Sequence, residues 1–214
     1  MTTAMIASIP DRENMLRKTV ESLRPQVDHI RVALNDYDHV PDFLSKGEFI
    51  ILNNEKGDAG KFYFADKLSG YLFSCDDDLI YPPNYISYMI AGVDKYRSAC
   101  TLHGKTYDRP VFAQPICTYQ CLCEVLSDGR VDVGGTGVMA WHSDFLSISY
   151  DDFKSKNMAD LWFSKRCKEQ DVKIMCMAHQ KGNLVYQGPV KTIWQEEKEK
   201  GFREQNKILE TFIC

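Results

Sequence analysis

Gly70-Tyr71-Leu72-Phe73-Ser74-Cys75-Asp76-Asp77-Asp78-Leu79-Ile80-Tyr81-Pro82-Pro83 is the stretch on which the fold turns. Its first six residues have the length and the aromatic, apolar character of a buried strand, and the paired prolines end any strand pairing beyond it. Acids at the end of such a strand stand at the C-terminal edge of a sheet, where open α/β folds bind ligands. Two carboxylates ~4 Å apart repel each other by ~4 kcal/mol at an effective dielectric of about 20. A cluster of this kind either raises one carboxyl pKa or takes up a cation. Oxygen-only ligands suit a hard ion such as Mg²⁺ or Mn²⁺, and those ions commonly bring a phosphate with them. The motif predicts a metal–diphosphate site, against the plainer alternative of a solvated acidic turn.

Working outward, residues 2–9 read as a first strand. Pro10-Asp11 turns into a helix that runs to about Leu23, with Met15, Leu16, Thr19, Val20 and Leu23 at helical spacing. Strands are expected over 28–34 and 48–52, helical structure over 62–68, and a helix over 84–96 opened by Pro82-Pro83. Beyond residue 100 the pattern loosens: a strand over 99–103 and extended segments over 111–133 with a turn at Asp128-Gly129. Gly134-Gly135-Thr136-Gly137 then leads into apolar Val138-Met139-Ala140-Trp141. A helix over 158–168, a strand over 172–177 and a charged C-terminal helix follow. Strand–helix alternation predicts the α/β class: one Rossmann-like domain over 1–214, its mixed, mostly parallel sheet flanked by helices.

The 214 residues carry 44% hydrophobic and 26% charged side chains, ordinary for a chain with a real core. A formal charge of -4 and no Lys/Arg-rich stripe argue against a nucleic-acid partner, which needs many phosphate-neutralising cations. No stretch approaches the ~20 apolar residues that span a bilayer, and residues 4–9 are too short for a signal core, so a cytoplasmic chain is expected. Eight cysteines in such a chain read as reduced thiols. Cys75, Cys100, Cys167 and Cys176 sit in apolar contexts, and the cluster Cys117, Cys121, Cys123 lacks the paired knuckles of a zinc site.

Five segments in order carry a resemblance: Ser8-Ile9-Pro10-Asp11-Arg12, Gly57-Asp58-Ala59-Gly60-Lys61, Cys75-Asp76-Asp77-Asp78, Gly134-Gly135-Thr136-Gly137 and Met177-Ala178-His179. Across nearly its whole length the chain resembles the GT-A family of nucleotide-sugar glycosyltransferases, and a small virus-encoded member in particular. The resemblance implies a nucleotide-binding half over 1–100 and an acceptor and donor-sugar half over 101–214. It implies transfer of a hexose or deoxyhexose from a UDP-sugar to a glycan hydroxyl, with Mn²⁺ or Mg²⁺, in the host cytoplasm. The family's Asp-x-Asp maps onto Asp76-Asp77-Asp78, with Asp78 as main metal ligand, Asp76 near the ribose or metal, and His179 as a further ligand. Pro10, Asp11, Arg12, Asp36, Gly57 and Lys61 would hold base, ribose and phosphates, and Gly135 would line the donor sugar. Asp160 would meet the acceptor hydroxyl and deprotonate it in an inverting enzyme, although many relatives carry Glu-Asp where this chain has Ala159-Asp160. His103, Trp162 and Trp194 are weaker sugar-side candidates, and Trp141 is expected in the core.

Each residue also has a plainer role. Asp11 could be an N-cap, Asp36 an Asx-turn residue and Asp160 a partner of the helix dipole. Two rival functions stand beside transfer: a sugar-phosphate nucleotidyltransferase, whose glycine-rich turn after the first strand is lacking here, and a glycan-binding module without turnover. A zinc or redox protein built on the cysteines ranks last.

Overall fold

The computed structural model describes residues 1–188 and 201–213. Strand β1 (Thr2–Ser8) leads through a 3₁₀ turn (Pro10–Arg12) into helix α1 (Glu13–Leu23), which buries Leu16, Thr19, Val20 and Leu23. Strands β2 (His29–Asn35) and β3 (Phe49–Leu52) follow. The helical structure expected over 62–68 is present as 3₁₀ turns that begin five residues earlier, over Gly57–Lys67. Then come β4 (Tyr71–Asp76), the two-residue β5 (Leu79–Ile80) and α2 (Tyr85–Tyr96), which begins just after Pro82-Pro83.

The second half opens with β6 (Ala99–Thr101), β7 (Gly104–Thr106), β8 (Cys117–Tyr119), β9 (Gly129–Val131) and β10 (Val133–Gly134). It continues with β11 (Val138–His142), α3 (Ala159–Glu169), β12 (Ile174–Cys176) and β13 (Val185–Tyr186). Of the expected C-terminal helix, Arg203–Leu209 is helical, and the stretch 189–200 lies outside the described residues.

The main sheet has the order β3-β2-β1-β4-β11-β6-β12-β9. Its first four strands are parallel, β11 runs antiparallel between β4 and β6, and β12 is again parallel to β6. Alternate side chains leave the strands to opposite faces, so each strand feeds two cores. Ala4, Ile6, Phe73 and Cys75 pack against α1 and α2 on one face. Met5, Leu72 and Trp141 pack with Phe62, Phe153 and Phe163 on the other. Trp141 is fully buried, as expected. Cys75, Cys100, Cys167 and Cys176 are buried free thiols. No described helix is long and apolar enough to cross a membrane.

Candidate active site

The chain winds β1, β2, β3 outward in one direction and places β4 on the other side of β1. That reversal leaves a crevice at the carboxyl ends of β1 and β4, the switch point at which doubly wound sheets take ligands. Ser8 ends β1, Asn35 ends β2 and Asp76 ends β4, with Ala7 paired to Asp76 across the ladder. Because β11 is antiparallel to β4, its start lies at the same edge. Val138 pairs with Cys75, which puts Gly137 beside Asp76. The resulting cleft has a volume of about 640 Å³.

The three acids take three different environments. Asp77 turns inward and is 3% exposed. The Ser8 hydroxyl donates to its Oδ2 at 2.6 Å and Arg12 Nη1 to its Oδ1 at 2.9 Å. Thr19 on α1 donates to the Asp77 and Leu79 carbonyls at 2.9 and 2.7 Å, which pins the turn. Asp78 takes Arg12 Nη1 at 3.3 Å. Its burial, reinforced by Asp76 and Asp77, pushes the carboxyl up to about 7 against the pull of Arg12. Asp76 is the most open of the three, and its Oδ1 accepts from Lys61 Nζ at 2.7 Å. Burial alone would pull the Lys61 ammonium down, but Asp76 and Asp58 outweigh it and hold it at about 12.

The facing wall joins the Gly57–Lys67 turns to the start of α3. Gly57 has φ +60° and a Cβ there would stand 1.8 Å from Asn157 Oδ1, so only glycine fits. Asp58 N–H donates to Asn157 Oδ1 and Ala159 N–H to Asp58 Oδ2, both at 3.4 Å. Asp58 Oδ1 is buried with no hydrogen-bond partner. Burial pushes its carboxyl up to about 7, with Lys61 opposing and Asp160 and Asp76 adding to the rise. Asp160 accepts from both the N–H and the hydroxyl of Thr136 at 2.7 Å. Phe112, Met158, Leu161 and Phe202 form an apolar rim at this end.

Arg12, Gly57, Lys61, Asp76, Asp77, Asp78 and Asp160 are thus brought together as the sequence suggested. Six other candidate residues lie elsewhere, and those expectations are corrected. Pro10 and Asp11 are exposed on the outer side of their turn and do not line the cleft, and no side-chain cap bond forms there. Asp36 is exposed at φ +58° and uses Oδ1 to hold the Asn54 N–H at 3.0 Å, leaving Asn35 and Asn54 to face the cleft. Gly135 packs against His103, away from the cleft; Gly137 is the glycine that meets Asp76. His179 is buried with its ring nitrogens 2.8 and 3.3 Å from the carbonyls of Met177 and Gln120, and it does not line the cleft. Trp162 donates to Ser155 instead of lining the cleft, and Trp194 lies outside the described residues. The sequence reading missed Ser8, Asn35, Asn54, Asp58 and Thr136 as site residues, though Ser8, Asp58 and Thr136 stood inside the quoted segments.

The side chains that could share a divalent ion here are fewer than expected. No group of three or more His, Cys, Asp or Glu side chains among the described residues is disposed to hold a metal. Asp76 and Asp78 flank the inward Asp77, and Asp78 is under-neutralised. Two carboxylates with the remaining places left to phosphate and water is how Mg²⁺ is commonly held.

No protein-family model and no curated protein sequence matches the chain. Solved structures do. The 4-diphosphocytidyl-2C-methyl-D-erythritol synthase of Anaerococcus prevotii is similar over 98% of each chain, at 12% identity and a TM-score of 0.53. The likeness is one of fold. A protein described as a nucleotide-diphospho-sugar transferase from Desulfovibrio desulfuricans matches over 99% of this chain and 97% of its own, at 10% identity and a TM-score of 0.49. S. aureus TarS 1-349, solved in complex with UDP-GlcNAc, matches over 85% of this chain and 57% of its own, at 10% identity and a TM-score of 0.46. The chain shares with that synthase an α/β fold with a large, mostly parallel sheet flanked by helices.

Proposed function

We propose that this chain is a metal-dependent glycosyltransferase that moves a hexose or deoxyhexose from a UDP-sugar to a hydroxyl of a glycan acceptor. The observation that carries the reading is the charge pattern at the switch point. Five aspartates line the cleft against Arg12, Lys61 and Lys156. A diphosphate entering that excess of negative charge needs a cation between itself and the acids, and Asp76 and Asp78 would hold it. Bound there, Mn²⁺ or Mg²⁺ would neutralise charge growing on the leaving diphosphate, an effect of several kcal/mol.

The protein groups divide the remaining work. Asn35 and Asn54, at the ends of β2 and β3, offer amides to the nucleoside. Arg12 and Lys61 meet the phosphates, and Lys61 keeps its charge despite burial because Asp76 and Asp58 hold it up. The rim of Phe112 and Phe202 would receive the apolar face of the acceptor. In transfer, an acceptor oxygen bonds the anomeric carbon while the carbon–phosphate-oxygen bond breaks and its electron pair leaves with UDP, and the proton of the acceptor hydroxyl passes to an oxygen of the departing diphosphate. The fold comparison supports the class of fold, and the residues above support the chemistry.

A panel of nucleotide sugars read by UDP release with Mn²⁺ tests the proposal. Acceptor-dependent release from a UDP-sugar is expected, together with its abolition in Asp78→Ala. UDP is expected to raise the melting temperature only when Mn²⁺ or Mg²⁺ is present, since ligand binding stabilises the native state by mass action. An equal shift in EDTA would count against metal-bridged binding. Pyrophosphate release from UTP and a sugar phosphate would replace the reading with a nucleotidyltransferase, and sugar binding without UDP release with a binding module.

A further inference from the structure

Asp160 is the acid that the family resemblance would make the proton acceptor, and its contacts describe another job. One of its oxygens, Oδ1, carries two hydrogen bonds of 2.7 Å, from the Thr136 N–H and the Thr136 hydroxyl. One turn further along α3, the Ser164 hydroxyl donates to the Asp160 carbonyl at 2.6 Å and accepts from the Gly134 N–H at 3.0 Å. The first turns of α3 therefore grip the Gly134–Thr136 backbone at two points. From the sheet side, the Ser74 hydroxyl of β4 donates to the Thr136 carbonyl at 2.6 Å.

The next residue connects this grip to the triplet. A Cβ on Gly137 would lie 2.0 Å from Asp76 Oδ2, so the Asp76 carboxylate rests directly against that backbone. The Gly137 carbonyl accepts from Asp76 N–H at 3.2 Å and from the Tyr81 hydroxyl at 2.5 Å. The opposite side of Asp76 is held by Lys61. A shift of Thr136 by a fraction of an ångström is carried through one peptide into Gly137 and from there into Asp76, because close-packed groups have no slack to absorb it.

We infer that Asp160 is a positioning residue for the aspartate triplet: it fixes Thr136 and Gly137 against Asp76, and is not the group that receives the acceptor's proton. The inference rests on the proposed transfer reaction for its kinetic arm and on nucleotide binding alone for the other. A carboxamide separates the two roles. Asn at position 160 still offers one oxygen to both Thr136 donors but cannot take a proton; Ala offers nothing.

The test compares Asp160→Asn, Asp160→Ala and Thr136→Ala by calorimetry with UDP and Mn²⁺, and by steady-state kinetics. Asp160→Asn is expected within about fivefold of wild type in both UDP–Mn²⁺ affinity and kcat. Asp160→Ala is expected to weaken UDP–Mn²⁺ binding about tenfold, the effect of losing charge-assisted hydrogen bonds. Thr136→Ala, which keeps the N–H bond and the fold, is expected to weaken it about threefold. Equal loss of kcat in Asp160→Asn and Asp160→Ala, with UDP–Mn²⁺ affinity intact in both, would overturn the inference in favour of a proton acceptor. Wild-type protein that binds UDP–Mn²⁺ but turns over no donor would sink the transfer reaction only. The affinity ranking of the variants would still decide for or against positioning.

Discussion

Asp58 and Asp77 show how one residue type divides into opposite roles within one cleft. Asp77 is a buried carboxylate with its oxygens satisfied by Ser8 and Arg12. Removing it leaves the Arg12 guanidinium, whose Nε already lacks a partner, with only the longer contact to Asp78. Asp77→Ala should therefore cost about 3 kcal/mol of stability, read as a lower urea midpoint at unchanged slope. Asp58 keeps one oxygen without a partner, and its carboxyl is raised to about 7 from 3.8. A raised carboxyl binds more protons folded than unfolded between those values, so its stabilisation is present below pH ~4 and lost as pH rises through ~7. Unfolding without divalent ions should show stability falling by on the order of 4 kcal/mol across that window, and Asp58→Asn should flatten the fall. The sequence displayed three equivalent acids and one Gly57-Asp58 loop. It did not display which acid turns inward, because the Ser8 and Arg12 that select Asp77 arrive from β1, more than sixty residues upstream in the chain.

At the level of elements, period and punctuation carried most of the information. The α1 spacing, the prolines before α2 and the apolar run of β4 each predicted an element within a residue or two of its observed bounds. Local pattern failed where a contact from afar decides. The Gly57–Lys67 turns stay 3₁₀ while Asp58 donates its N–H to Asn157 and accepts from the Ala159 N–H. The sequence points to Gly135 where the structure uses Gly137, because the start of β11 relative to β4 is a matter of antiparallel register, invisible in the chain of glycines. His179 read as a ligand from its place after a strand, yet its backbone pairs with Val125 and its ring is spent on carbonyls. The register makes its own prediction. Gly137→Ala drives a methyl into Asp76 and should weaken UDP–Mn²⁺ binding at least about tenfold by calorimetry while far-UV circular dichroism stays unchanged.

Over the whole molecule, three cores divide the labour. Two cores sandwich the sheet, and a third joins Tyr107, Met158 and Leu161 to Ile208, Leu209 and Phe212 of the C-terminal segment. That third core backs the apolar rim of the cleft. Leu209 is fully buried, and Leu209→Ala should cost about 3 kcal/mol. Because the triplet draws on the other two cores, the variant should raise the acceptor KM and leave the UDP dissociation constant within twofold. Charge, class and layering were readable from the sequence, whereas the docking of the last helix was not, since its apolar residues are few and their partners distant. The antiparallel strand in the middle of the sheet has a kinetic consequence. Five residue pairs of β11 are laddered to β4 immediately after the glycine segment, so that segment cannot swing out as a gate without unzipping the centre of the protein. Any ligand that enters or leaves the cleft is therefore admitted by parts other than this segment, and the floor of the cleft beside β4 and β11 stays still.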